Sequence, residues 1–347
     1  MIIPKVPMEI WKKLYDTAVR FREAGFWESF DDDEAFAVEH PGTKEIGYCS
    51  VLGSLAEMFA LCVYRGHEGL ATYRKLQKLE IDPERDDFFA INNALMAEFT
   101  DRDGLEQEDL NLIKEMGYKF QGAKAYPVFR SYLPGYTPWF LTEGEAVFLE
   151  FALRCALDYY REYEEETGAL EREGLKRFLL YSPKTDGGDG NSFEKKWFRP
   201  DPPPRPPVPA IPVDEVRLQR LRTSAKQSRA IWEAGIFYMP GGRVLEGDRP
   251  YWPLILTAAE KRSGLMLFCE AIDLKTCRYS ALAEGVLKVI EDKGRFPAEV
   301  QVNDETIYKT LQPIAAALRI RLRPTKILPA IANFRKAMAK DLRSGRF

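Results

Sequence analysis

Arg199–Pro212 reads RPDPPPRPPVPAIP, and this stretch divides the chain. Proline holds φ near about −65° and has no amide to donate, so such a run builds neither helix nor central strand. It favours a stiff, extended polyproline II spacer. Just ahead of it, TDGGDGNS (Thr185–Ser192) has the composition of a flexible loop, and a helical pattern resumes at Val213. The expected organisation is a first α/β domain over residues 1–184, a Gly/Pro-rich linker over 185–212 and a second α/β domain over 213–347. A chain of 347 residues is long enough for two such cores.

Working outward, both sides of the linker read in the same element order. The first side has short β-branched or aromatic runs at Ala35–Glu39, Ile46–Leu52 and Met58–Tyr64, with a turn near Ser54–Glu57. Helix is expected at Glu68–Leu79, strand at Ala94–Phe99, helix at Gln107–Met116, strand at Tyr118–Phe120 and helix at Thr142–Tyr163. The second side repeats this with strands at Ala234–Met239, Leu254–Ala258 and Leu265–Ala271. Helix Tyr279–Asp292, strand Glu299–Val302, helix Thr306–Leu318, strand Ile320–Arg323 and helix Leu328–Leu342 follow. The helices rest on apolar spacing at i, i+3, i+4 and i+7 with stops at Gly117 and Gly294. The strands rest on turn-bounded runs. Each half is therefore expected to be a βββαβαβα unit of ribonuclease-H-like order. In such a unit an antiparallel meander continues into parallel strands, giving a mixed sheet flanked by helices. The shared order suggests a duplication.

Composition narrows the functional classes. A hydrophobic content of 45% with 30% charged residues describes a globular chain, and a net charge of −3 supplies no global pull toward nucleic acid or anionic membrane. Every apolar stretch is interrupted by charge well before a membrane span is reached, and the N-terminus lacks a leader-like run, so cytoplasm is the expected location and no membrane partner is expected. Cys49, Cys62, Cys155, Cys269 and Cys277 are odd in number and lack CxxC spacing, which fits neither a disulfide framework nor a zinc site. Cys49 and Cys62 lie symmetrically about a hairpin turn and are expected to be small buried apolar residues that can face each other across the ladder.

A ribonuclease-H-like enzyme needs carboxylates converging on two divalent ions, one of them on the leading strand. The first half offers Tyr48-Cys49-Ser50-Val51 in its hairpin, with Glu98, Asp101 and Asp103 ending the fourth strand and Glu68 opening the helix. The second half offers Glu284 and Asp304, but Leu256-Thr257-Ala258-Ala259 stands where the leading acid is wanted. Neither set is complete. Asn303-Asp304-Glu305-Thr306 before an apolar run is also a helix-capping signature, and Glu98, Asp101 and Asp103 suit a solvated turn. No Walker motif, GxSxG elbow or HExxH occurs, and TDGGDGNS precedes no strand-to-helix phosphate loop. Glu98, Asp101, Glu284 and Asp304 remain the metal candidates, with Mg²⁺ or Mn²⁺ as the only cofactor they would require.

Two aromatic–proline segments suggest binding. One is Phe129–Trp139, FRSYLPGYTPW, read as a long loop with Arg130, Tyr132, Tyr136 and Trp139; the other is Arg249-Pro250-Tyr251-Trp252-Pro253. Rings beside arginines can stack bases or grip a peptide. The favoured reading is that these rings plug the ends of the core while proline sets the turns. The third candidate is basic: Arg319, Arg321 and Arg323 would share one face of an alternating strand, followed by Lys326, Arg335, Lys336, Lys340, Arg343 and Arg346. Arginine on an edge strand also blocks edge pairing.

At FRSYLPGYTPW followed by LTEGEA, and again at RPYWPLIL, the chain resembles an uncharacterised bacterial family that joins two domains of unknown function. Members often carry an acid after the first hairpin strand of the second domain, where Ala258 and Ala259 stand here. The resemblance implies no activity or cofactor. The expected function is a non-catalytic binding or scaffold protein using the aromatic loops or the basic C-terminal face, with a protein or nucleic acid as partner. The alternative is a metal-dependent, nuclease-like phosphodiester-processing enzyme with a degenerate carboxylate site.

Overall fold

The computed structural model describes residues 3–25, 27, 34–53, 58–80, 88, 91–165, 176–184, 192–202, 214–239, 241–245 and 247–343. The chain is α/β and separates into two units. The first comprises Met1–Pro204 with Gly247–Arg249, and the second Arg205–Glu246 with Pro250–Phe347. The expected turn at 54–57, the glycine-rich 185–191 and most of the proline run (203–213) lie outside the described residues.

The first unit is built on seven strands: β1 Ala35–Glu39, β2 Ile46–Leu52, β3 Phe59–Arg65, β4 Ala94–Thr100, β5 Tyr126–Tyr132, β6 Phe178–Pro183 and β7 Phe193–Phe198. Their order across the sheet is β5-β4-β3-β2-β1-β6-β7. Helices α1 (Met8–Ala24), α2 (Gly66–Gln77), α3 (Gln107–Met116) and α4 (Glu143–Glu165) accompany them. On one face, Leu14, Tyr15, Ala18 and Phe21 of α1 join Phe148, Phe151 and Ala152 of α4 over Phe36, Val63, Leu95 and Phe99. On the other, Leu70 and Tyr73 of α2 cover Tyr48, Cys62, Tyr64 and Met96. With both faces covered the central strands read as continuous apolar runs rather than alternating ones. Each fully buried Leu or Phe here contributes about 1.5–3 kcal/mol.

Although βββαβαβα occurs in order in this unit, its strands do not pair as expected. β4 lies antiparallel beside β3, and the place beside β1 belongs to β6, which runs parallel to it. Tyr118–Phe120 is not a strand. Tyr118 stacks on Tyr15 of α1 with ring centroids 5.5 Å apart, and that packing is what their apolar alternation reflects. The fifth strand is β5, so Phe129–Tyr132, expected in a loop, are strand residues. Phe193–Phe198, expected in the linker, forms β7 by antiparallel pairing with β6. Cys49 and Cys62 are buried free thiols but do not face each other: Cys49 partners Val63 and Cys62 partners Ser50, one residue out of step, so they enter opposite cores.

The second unit contains α5 Glu215–Ser224, β8 Lys226–Gln227, β9 Ile231–Tyr238, β10 Leu254–Glu260, β11 Met266–Ile272 and α6 Arg278–Lys293. β12 Arg295–Phe296, β13 Glu299–Val302, α7 Glu305–Leu318, β14 Arg321–Pro324 and α8 Pro329–Arg343 complete it. Its main sheet has the order β11-β10-β9-β13-β14. β9, β10 and β11 form an antiparallel meander, and β13 and β14 continue from β9 in parallel. A two-stranded parallel ribbon joins β8 to β12. Leu218 and Leu221 of α5, Leu282, Val286 and Ile290 of α6 and Ile307, Leu311 and Ile314 of α7 bury one face. α8 seats on the other with Leu328, Ala330 and Ile331 against Ala259. Gly235 lets it approach, since a Cβ there would stand 3.3 Å from both Leu328 and Ile331 side chains. The two sheets differ in strand order, and the duplication expected from element order does not extend to pairing.

Candidate functional site

The carboxylates that suggested a metal centre are engaged in local structure. Asp101 Oδ1 accepts the backbone N–H of Lys124 at 2.8 Å and so ties a loop whose Lys124 has φ of 47°. Glu98 is partly buried on β4, and burial raises its carboxyl above the usual range against the pull of Arg130 and Lys124. In the second unit Asp304 caps α7, its Oδ1 accepting from Ile307 N–H at 2.8 Å. Glu284 holds Arg217 of α5 bidentately at 2.7 and 2.8 Å, with Glu291, two turns further along the same face of α6, gripping the same guanidinium. Among the described residues no three His, Cys, Asp or Glu side chains group as a metal site.

A buried acid that the sequence reading did not single out is Glu233. The central strand of the second sheet is β9, not Leu256–Ala259, and β9 begins at Ile231, three residues before the expected start. Glu233 is fully buried there. Its Oε2 accepts the N–H groups of Ala330 and Ile331 at 2.9 and 3.1 Å, which satisfies the first turn of α8 from outside the helix. Oε1 is buried with no hydrogen-bond partner. Burial raises this carboxyl above its ordinary range, against the two backbone donors and Lys261. Lys261 in turn donates to Gln301 Oε1 at 2.8 Å, and Gln301 donates to Glu299 Oε1 at 2.7 Å. A signal for this cluster existed: a lone acid within the apolar run Ile231-Trp232-Glu233-Ala234.

The motif residues of the first unit form a second buried polar cluster. Thr142 and Glu145 of LTEGEA make a reciprocal capping box at the start of α4, with Glu145 Oε2 accepting Thr142 N–H at 2.9 Å. Glu145 Oε1 also accepts from Arg65 at 2.9 Å and from the Ser131 hydroxyl at 2.7 Å. Burial would raise this carboxyl, but those donors outweigh it and hold it below the ordinary value. Arg249, grouped with the first unit, donates to the Thr137 carbonyl at 3.0 and 3.1 Å, to Ser131 Oγ at 3.3 Å and to the Ser131 carbonyl. Burial pushes its guanidinium down to about 10, Glu145 opposing and Arg65 adding to the shift.

The aromatic candidates are therefore parts of packed structure. Tyr132 is buried on β5, Trp139 pairs by backbone with Ser131, and Tyr136 lies 5.6 Å beneath the Arg249 guanidinium. Arg130 forms a fork with buried Asp109 at 2.9 and 2.5 Å and covers Phe140. Tyr251 bridges by backbone to Val244, and Trp252 is half-buried.

The basic candidates differ in kind. Arg321 and Arg323 lie on β14, an edge strand, with side chains 73% and 56% exposed. Among the described residues their one carboxylate partner is Glu299, at 3.6 and 3.9 Å, itself nearly buried and already accepting from Gln301. Charge is also segregated along the chain. Residues 213–347 hold 24 Lys and Arg against 15 Asp and Glu, whereas residues 1–212 hold 26 against 38. The near-neutral total conceals a strongly basic second part.

An α/β protein of two units whose aromatic–proline segments serve internal packing matches known families in two places. Residues 11–180 match the family described as Domain of unknown function (DUF7309), and residues 217–339 match Domain of unknown function (DUF6930). The chain is thus a two-part protein of domains of unknown function. No curated protein matches it. Among solved structures, a chain of the simian T-cell lymphotropic virus intasome in complex with PP2A regulatory subunit B56 gamma is 16% identical, with a TM-score of 0.21. That likeness covers 29% of this chain and 33% of the other, and is too slight to bear on fold or function. No helix among the described residues is long and apolar enough to cross a membrane.

Proposed function

We propose that the chain is a non-catalytic binding protein whose second unit holds the phosphate backbone of a nucleic acid along the exposed edge strand β14. The observation that carries this reading is the pair Arg321 and Arg323, on one face of a strand, more than half exposed and, among the described residues, opposed by a single nearly buried carboxylate. The excess of cations in residues 213–347 supports it, because a basic region within an otherwise acidic chain is the electrostatic footprint of such a partner. We read the second unit as ribonuclease-H-like in its meander continued by parallel strands, with its central acid, Glu233, committed to capping α8 instead of a metal.

The test is fluorescence anisotropy of labelled single- and double-stranded oligonucleotides across a salt series. Binding that weakens steeply with salt and is lost in Arg321→Glu/Arg323→Glu is the expected result. Binding indifferent to salt or to both substitutions would sink the reading.

A further inference from the structure

The second unit carries more exposed cations than β14 alone, and its folding gathers five of them at one end. β8 pairs with β12 so that Lys226 and Arg295 are Cα partners, and Lys226 N–H donates to the Gly294 carbonyl at 3.0 Å beside Lys293. The Gln227 side chain donates to the Arg319 carbonyl at 3.3 Å, which joins the ribbon to the end of α7. The Ala230 carbonyl accepts from Ala298 N–H at 2.9 Å and the Ala298 carbonyl from Arg321 N–H at 3.0 Å, so Arg229 and Arg321 stand at the starts of the two strands that flank β13. Lys226, Arg229, Lys293, Arg295 and Arg319 are all exposed, and none makes an ion pair among the described residues.

Helix dipoles account for part of this, since α5, α6 and α7 all end here and cations suit carbonyl ends. They do not account for Arg229, which stands four residues beyond the C-cap of α5. Nor do they account for the residue type at 319. Arg319 occupies the left-handed C-cap of α7 with φ of 57°, a conformation that costs a non-glycine residue and that Gly294 fills at the end of α6. That cap leaves the Arg319 side chain exposed two residues before Arg321 of β14.

We infer that the phosphate-binding surface continues from β14 onto the β8–β12 ribbon, with Lys226, Arg229, Lys293, Arg295 and Arg319 as a second group of backbone contacts. This rests on the nucleic-acid reading of β14 and extends its footprint; Arg319 and Arg321, two residues apart, join the two groups. The ligand class is the sugar–phosphate backbone, read without base specificity because the contacts are point charges and arginine forks on an open surface.

The experiment compares the full chain with Lys226→Gln/Arg295→Gln/Arg319→Gln by anisotropy over a salt series, with thermal unfolding as control. The expected result is a plot of log K against log salt shallower by about two to three, with Tm unchanged. Arg319→Gly is the companion variant. It relieves the left-handed cap, so it folds at least as well and still weakens binding. Loss of binding in Arg321→Glu/Arg323→Glu with an unchanged slope in both ribbon variants would overturn this extension while leaving the β14 site intact. A wild-type chain that binds no oligonucleotide would overturn both.

Discussion

Glu233 accepts the backbone N–H of Ile331 at 3.1 Å, so a carboxylate buried in the central strand of one sheet closes the first turn of a helix 98 residues later. The same oxygen takes the Ala330 N–H, leaving two helix donors dependent on one distant side chain.

Replacing Glu233 with Ala orphans both donors and opens a cavity, and is expected to cost about 1–3 kcal/mol in urea unfolding of the full chain. Glu233→Gln keeps an acceptor and costs less. The folded carboxyl lies above its unfolded value of about 4.3, so between the two the folded state holds more protons and stability falls as pH rises. Glutamine cannot titrate. The wild type should therefore lose stability relative to Glu233→Gln as pH rises from about 4.3 through the folded value, and a pH-independent difference would refute the assignment.

Glu145 behaves oppositely. Its carboxyl is held below the ordinary value, so its contribution is complete above the unfolded value of about 4.3 and is lost as pH falls through the folded one. Glu145→Gln takes the ionic partner from Arg65, whose side chain is only 10% exposed and keeps Asn93 and the Tyr132 carbonyl as acceptors. A loss of about 2–4 kcal/mol at pH 7 is expected, shrinking in acid. Equal losses at pH 3 and pH 7 would show that the pair is not ionic.

Arg249→Lys tests geometry at constant charge. One ammonium cannot serve the Thr137 and Ser131 carbonyls and the Ser131 hydroxyl together as a planar fork does. The substitution should lower stability by about 1–2 kcal/mol, read from the urea midpoint. An unchanged midpoint would mean the fork contributes nothing.

The thiols should react in order. Cys277 is exposed, and hydrogen bonds from Ser280 and the Tyr279 N–H, with Arg278 nearby, lower it below the ordinary thiol value against slight burial. Cys269 is exposed but raised by burial of its sulfur, and Cys49, Cys62 and Cys155 are buried and raised by burial. Mass spectrometry after brief alkylation should find Cys277 modified first and the buried three only after unfolding. Early labelling of Cys155 would contradict the packing of α4.

Much of the local structure is legible without coordinates. α3 at Gln107–Met116 and β13 at Glu299–Val302 fall where apolar spacing and turn residues place them, and the Asp304 cap is readable from Asn303-Asp304-Glu305-Thr306. Tyr118–Phe120 misleads because aromatic alternation marks burial on one side without saying whether a strand or a helix supplies the other side. Glu233 escapes because a strand beginning at Ala234 leaves it in a loop, where an acid needs no explanation.

By itself the amino-acid sequence placed most of the helices and the meander strands of each half, because periodicity and capping are set by residues within a turn or two of one another. Tertiary structure decided that β4 joins β3 while β13 joins β9, that Phe193–Phe198 closes an edge, and that Arg249 and Glu233 serve partners about a hundred residues away. Strand neighbours are chosen by backbone hydrogen bonds that every residue but proline can make, so no side-chain pattern names the partner. A buried charge is settled only by the donors that the finished fold brings to it.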